Sequence, residues 1–100
     1  MDMRYEIEGE DIIMYLNNPL DIGFAPVVEK YVGGIIKENT DYNVVIDLEN
    51  VSYINSSGLG VLIFLSKLLK GNNRKLKVIN MSSTVKKVVD ILDANDILNT

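Results

Sequence analysis

The sequence predicts an α/β fold, a mixed β-sheet with crossover helices in the order β-β-α-β-α-β-α. Three observations carry that prediction. Residues 4–16 form two strand-like runs around Gly9-Glu10, the pattern of a hairpin. Two further strand-like runs follow, Val44-Val45-Ile46 and Leu76-Lys77-Val78-Ile79-Asn80. Segments with apolar residues at helical spacing separate and follow them, as crossover connections require. One hundred residues make a single domain, 1–100, with no repeat, linker or low-complexity stretch.

Each element has its own signal. Arg4-Tyr5-Glu6-Ile7-Glu8 alternates and predicts a half-buried strand, with Asp11–Leu16 as its hairpin partner. Asn17-Asn18-Pro19 ends that partner. A helix follows Asp21, a candidate cap, with Pro26 in its first turn, where a missing N–H costs nothing. Val27/Val28, Tyr31/Val32 and Ile35/Ile36 give it an apolar stripe. Gly33-Gly34 interrupts the pattern. Each glycine costs about 1 kcal/mol against alanine inside a helix, so the pair marks close packing or a kink.

Val44-Val45-Ile46 is continuously β-branched and predicts a central strand buried on both faces. Asp47-Leu48-Glu49-Asn50 ends it. Leu59–Leu65 is apolar nearly all round and predicts a buried helix, which Ser66–Lys70 extends and Gly71-Asn72 closes. After the fourth strand, Ser82 or Ser83 caps a third helix that turns Val85, Val88/Val89 and Leu92 to one side. Ile97-Leu98 is expected to cover a sheet edge.

Composition excludes several kinds of chemistry. There is no Cys and no His, so disulfides, Cys/His zinc sites and Ser-His or Cys-His catalytic pairs are ruled out. The net charge is −4, which disfavours a nucleic-acid backbone as partner. The charge is unevenly placed. Residues 1–50 hold eleven acidic and three basic side chains, and residues 51–100 hold three and seven. Lys67, Lys70, Arg74, Lys75, Lys77, Lys86 and Lys87 make up that basic group. It reads as solvated surface, with steering of an acidic partner as the functional alternative. Residues 1–10 lack the apolar run of a secretory signal. The longest apolar stretch, Leu59–Leu65, is seven residues, far short of the about 20 a membrane span needs. A cytoplasmic location is the expectation, with no membrane partner.

Phosphate-binding loops are absent: Gly58-x-Gly60 has Ile63 where a dinucleotide fingerprint has its third glycine. Asp47 falls at the carboxyl end of the central strand, where open α/β sheets place their sites. A carboxylate pair could be drawn from Asp21, Asp47 and Glu49, but no spacing fixes them together, and capping or solvated roles fit each one. No catalytic residue, metal or cofactor is expected. The informative stretch is Asn50–Gly60, a polar run leading directly into the buried helix. Asn55, Ser56 and Ser57 carry side-chain oxygens for the unpaired N–H groups at its start. A serine there also sits at the positive end of the helix dipole, where a phosphate is tolerated.

The run from Val45 to Leu62, with Asn55-Ser56-Ser57-Gly58-Leu59-Gly60-Val61-Leu62 at its end, resembles the signature of the STAS domain of bacterial anti-sigma-factor antagonists. Leu20-Asp21 resembles the Leu-Asp before that family's first helix. The resemblance implies a STAS-like fold and a switching module rather than an enzyme. In the family the second Ser of Ser-Ser-Gly accepts phosphate from a serine kinase that is also the anti-sigma factor. That position is Ser57, with Ser56 as the alternative acceptor. The unphosphorylated form binds the anti-sigma factor and frees the sigma factor, a serine phosphatase resets the switch, and ATP with its Mg²⁺ belongs to the kinase. The implied contact surface comprises Asn55, Ser56, Ser57, Gly58 and Leu59, flanked by Asp21, Gly23 and Phe24. Asn55 departs from the family's Asp. Two other readings remain open on sequence: a non-phosphorylated STAS scaffold of a transporter or stress-signalling complex, and a small carboxylate-dependent phosphotransfer or hydrolytic enzyme.

Overall fold

The computed structural model describes residues 3–98. Strands β1 (Met3–Glu8) and β2 (Asp11–Leu16) form the opening hairpin, turned by Gly9 at φ +59. The chain continues through α1 (Ala25–Glu38), β3 (Asn43–Asp47), α2 (Ser56–Lys70), β4 (Leu76–Ile79) and α3 (Ser83–Ile91). The expected order therefore holds, with one short helix, α4 (Asn95–Leu98), added at the end. The sheet order is β1-β2-β3-β4, with the first pair antiparallel and the other two parallel.

This topology makes a one-sided sheet. From β2 onward the chain steps to the next neighbour in one direction, so right-handed crossovers put α1 and α2 on the same face. Ile12, Met14, Leu16, Val44, Ile46, Leu76 and Val78 point to that face and are buried. Ile13, Tyr15, Val45 and Ile79 point the other way and are half-buried. The two-sided burial expected for Val44–Ile46 is thus corrected: a β-branched run looks the same whether one layer or two covers it. β1 also differs from expectation. It is an edge strand whose Tyr5 and Ile7 remain 43% and 50% exposed, because the helical layer stops short of it. On the open face Arg4 pairs with Glu6 at 3.1 Å and lies over the Tyr15 ring.

α1 packs against α2 across the core. Val28, Val32, Ile35 and Ile36 face inward, whereas Val27 of the predicted stripe is exposed and Tyr31 half-buried. Gly33-Gly34 does not break the helix and admits no close neighbour, since a Cβ at either position would meet nothing within 4 Å. α2 buries Leu62, Leu65 and Leu69 completely but leaves Phe64 48% exposed, so its apolar circumference exceeds what the core covers.

Ser82, rather than Ser83, caps α3, its Oγ accepting from Val85 N–H at 3.1 Å. Leu92 stays exposed because the helix has ended and the chain turns at Asp93, φ +53; Ala94 takes the buried position beyond. α4 packs against α2 and against the edge strand β4, with Leu98 fully buried. The side chain of Ile97 lies outside the described residues.

Arg74 is the largest departure among the charged residues. Sequence placed it with the solvated basic group, but it is buried. Its Nη1 donates to the carbonyls of Ile36 (3.2 Å), Asn39 (2.8 Å) and Tyr42 (3.4 Å). These lie at or just beyond the carboxyl end of α1, where helix carbonyls lack partners and the dipole favours a cation. Arg74→Ala should therefore cost about 2 kcal/mol, the scale of hydrogen bonds from a charged donor. In a chain of this size that lowers the melting temperature by roughly 8–16 °C. Lysine at 74 should recover only part of the loss, since its ammonium is more strongly hydrated and ends short of the position that Nη1 occupies. Thermal denaturation of the two variants beside wild type checks both expectations.

Candidate functional site

Three segments converge at the carboxyl end of the parallel strands. The first is the turn after β3. Asp47 is buried, and its Oδ1 accepts from Glu49 N–H at 2.9 Å while Oδ2 accepts from Asn80 Nδ2 at 3.3 Å. Leu48 and Val51 plug the turn into the core. The second segment runs from Tyr53 into α2. Asn55, in extended conformation, caps the helix, and its Oδ1 accepts from Ser57 N–H at 3.0 Å and Gly58 N–H at 3.2 Å. The capping oxygen thus comes from Asn55 rather than from either serine.

The third segment is the turn before α1. Asp21 Oδ1 accepts from Gly23 N–H (2.9 Å) and Phe24 N–H (3.1 Å), and its carbonyl accepts from Ala25 N–H at 2.8 Å. Asp21 therefore holds the turn that leads into α1, whereas the cap position of the helix itself is Phe24, which makes no side-chain capping bond. Pro26 sits in the first turn of the helix.

The second and third segments are tied by backbone. Leu20 N–H donates to Tyr53 O at 2.8 Å, Asn55 N–H donates to Leu20 O at 3.3 Å, and Leu20 and Ile54 form an isolated parallel bridge. Gly58 then fits under Leu20 so closely that a Cβ there would stand 2.1 Å from the Leu20 carbonyl oxygen and 2.7 Å from its Cγ. Glycine is required here by proximity, not by dihedral angle.

All the residues singled out by sequence come together at this end, but they do not play equal parts. Phe24, Gly58 and Leu59 are interior and shape the surface from beneath. Ser56 and Gly23 are exposed; Asp21, Asn55 and Ser57 are half-buried. Two residues that sequence reasoning missed flank them, Ile22 at 75% exposure and Tyr53 at 47%. Their signal was an apolar side chain inside a polar turn. Asp21, Asp47 and Glu49 do not assemble into a pair: the first two carboxylates hold their own turns, and Glu49 is exposed. No cluster of three or more potential metal-ligating side chains exists among the described residues.

Chemically, the site is a helix amino terminus presenting two hydroxyl groups. The first turn of α2 carries no acidic residue, while Lys67 and Lys70 occupy its last turn. The positive end of the dipole is therefore unneutralised beside Ser56 and Ser57.

A one-sided mixed sheet with a serine pair at the capped start of a buried helix defines a small α/β domain. The chain belongs to the STAS domain family, whose profile matches residues 2–100. The anti-sigma-B factor antagonist of Bacillus subtilis (strain 168) is 29% identical over 89 residues, covering 89% of this chain and 80% of the relative. Among solved structures, a candidate anti-sigma factor antagonist from Thermotoga maritima superimposes with a TM-score of 0.89 at 20% identity, over 97% of this chain and 83% of that one. The anti-sigma factor antagonist SpoIIAA matches in its unphosphorylated form with a TM-score of 0.70 at 20% identity, over 89% of this chain and 82% of that one. The phosphorylated form of SpoIIAA from Bacillus matches with 0.73 at 18% identity, over 98% and 88%. These structural likenesses establish the fold.

The Leu20–Gly58 approach sets a stability test. Gly58→Ala forces Leu20 or α2 to move, and overpacking of this kind costs about 1–3 kcal/mol. The denaturation midpoint should fall accordingly, whereas an unchanged midpoint would show that the junction yields freely.

Proposed function

We propose that this STAS domain is an anti-sigma-factor antagonist that works by partner switching, with Ser57 as the phosphate acceptor. One observation carries the reading: Ser57 is half-exposed in the first turn of α2, at an unneutralised dipole end, beside the Asp21 turn. The name of the B. subtilis relative supports it, as does the existence of SpoIIAA in two phosphorylation forms. Ser56, one residue earlier and exposed, is the alternative acceptor. In this reading the domain is a substrate and a binding module rather than a catalyst, acting in the cytoplasm. The unphosphorylated form binds an anti-sigma factor that is also a serine kinase. The contact surface is the amino end of α2 with Asn55, Ser56 and Ser57, flanked by Asp21 and Gly23 and shaped from below by Phe24, Gly58 and Leu59. The kinase brings ATP and its metal, and a serine phosphatase restores the binding form.

The physics of the switch separates binding from folding. A phosphate on Ser57 adds about −1.5 to −2 charges at neutral pH. Within the chain that charge faces helix N–H groups and gains roughly 0.3–1 kcal/mol. Across a docked interface, one like-charge contact near 4 Å costs about 4 kcal/mol at an effective dielectric near 20. That is about a thousandfold in affinity, since each 1.4 kcal/mol is tenfold.

Two outcomes follow. The cognate kinase with Mg-ATP should label wild type and fail to label Ser57→Ala. Phospho-Ser57 should lose partner binding while its melting temperature shifts by only a few degrees, read by titration and melting of one sample. Labelling that persists in Ser57→Ala would move the acceptor to Ser56 or end the proposal, and binding that survives phosphorylation would end the switch.

Asn55 gives an independent handle. Aspartate caps a helix as well as asparagine does, so Asn55→Asp should leave the melting temperature within a few degrees of wild type. It restores the family's carboxylate beside Ser57 and should raise the rate of phosphorylation, measured as initial incorporation of labelled phosphate. A rate at or below wild type would show that asparagine already serves the kinase.

A further inference from the structure

The outer seam between α1 and α2 forms a groove of about 370 Å³, lined by Lys30, Gly33, Gly34 and Lys37 from α1 and by Phe64 and Leu68 from α2. We propose that this groove docks an acidic amphipathic helix of the partner protein. The partner's class rests on the function proposed above; the groove and the chemistry of its occupant do not.

Three features specify the occupant. Phe64 offers a half-exposed aromatic ring on a helix whose other large residues mostly face the core. Gly33-Gly34 supplies an empty floor, since a Cβ on either would meet no atom within 4 Å and the helix runs through the pair without a break. Gly34 and Lys30 also border a hollow of about 660 Å³ on the adjoining face of α1, together with Pro26, Val27, Tyr31 and the acidic Glu38. Gly34 therefore forms a low saddle between the two hollows, with Gly33 beside it in the groove, and another helix can cross here with its backbone close.

The charge selects the flank of that helix. Residues 1–50 carry eleven acidic side chains, yet their only two lysines, Lys30 and Lys37, both line this groove. Lys67 stands exposed one helical turn beyond Phe64, and Glu29 is the single acid among the lining residues. An apolar floor with cationic margins complements an apolar stripe flanked by Asp or Glu. The face of α2 that carries Phe64 leads toward the amino end of the helix, because Gly60 lies one turn before Phe64 and Ser57 is next along the same face. A helix seated here holds the partner beside Ser57 at a second point of contact.

The test exploits the vacancy. Gly33→Ala and Gly34→Ala combined fill the saddle without touching the rest of the chain, and alanine favours the helix. The double variant should melt at or above the wild-type temperature and yet bind the purified anti-sigma factor kinase of the same genome at least tenfold more weakly. Lys30→Glu with Lys37→Glu should weaken binding similarly and flatten its salt dependence. Wild-type affinity in the double alanine variant would overturn the proposal. Should that kinase fail to bind even wild type, the functional reading falls, and the groove is decided by amide NMR with two synthetic amphipathic peptides. A glutamate-flanked peptide should shift the resonances of Gly33, Gly34 and Phe64, and a lysine-flanked one should not. Absence of shifts with both peptides would overturn the proposal. So would a wild-type dimer that the alanine pair abolishes, which would assign the groove to a second copy of the chain.

Discussion

The contact between Leu20 and Gly58 is the constraint on which the site depends. Two backbone hydrogen bonds, one from Leu20 and one to it, lash the turn before α1 to the loop before α2. The missing Cβ of Gly58 lets the first turn of α2 slide under the Leu20 carbonyl. Because both segments precede helices, fixing them fixes where α1 and α2 begin. The Asp21 turn and the Asn55 cap then fall side by side. Each cap is local, satisfying N–H groups two and three residues on. The junction between them is a matter of main chain and a single glycine.

The same economy explains why the interior carries little polar chemistry. Asp47 and Arg74 are buried, and both spend their hydrogen bonds on chain ends: Asp47 on the turn leaving β3, Arg74 on the carbonyls at the end of α1. The partners here are mostly backbone groups freed where a strand or helix stops, and Arg74 Nε is left without one among the described residues. Asp47 thus serves to hold the turn that leaves β3.

A one-sided sheet divides the molecule into a helical face and an open face. All helix amino ends that follow parallel strands emerge at one edge of the helical layer, the usual location of sites in open α/β sheets. Stability and recognition therefore share the helices α1 and α2. Their inner faces carry the core, and their outer faces keep what the core does not use: Phe64, the lysines of α1 and the space above Gly33-Gly34. Alanine would suit that mid-helix pair better on local grounds, so the vacancy is a property of the surface rather than of folding.

By itself, the sequence determined the element order, the short polar stretches from which the caps are drawn, and the family signature around Ser57. These are local patterns, readable from spacing and from side chains that bond residues two or three positions away. Only the tertiary structure decided which faces are covered. β1 reads as half-buried and is exposed, and β3 reads as two-sided and is covered on one face. Alternation and β-branching report a strand's own surface but not the number of layers above it. Arg74 reads as a surface cation and is a buried cap, because its carbonyl partners lie more than thirty residues away. Gly58 reads as part of a motif, and its cause, the Leu20 carbonyl, appears only when two loops distant in sequence meet.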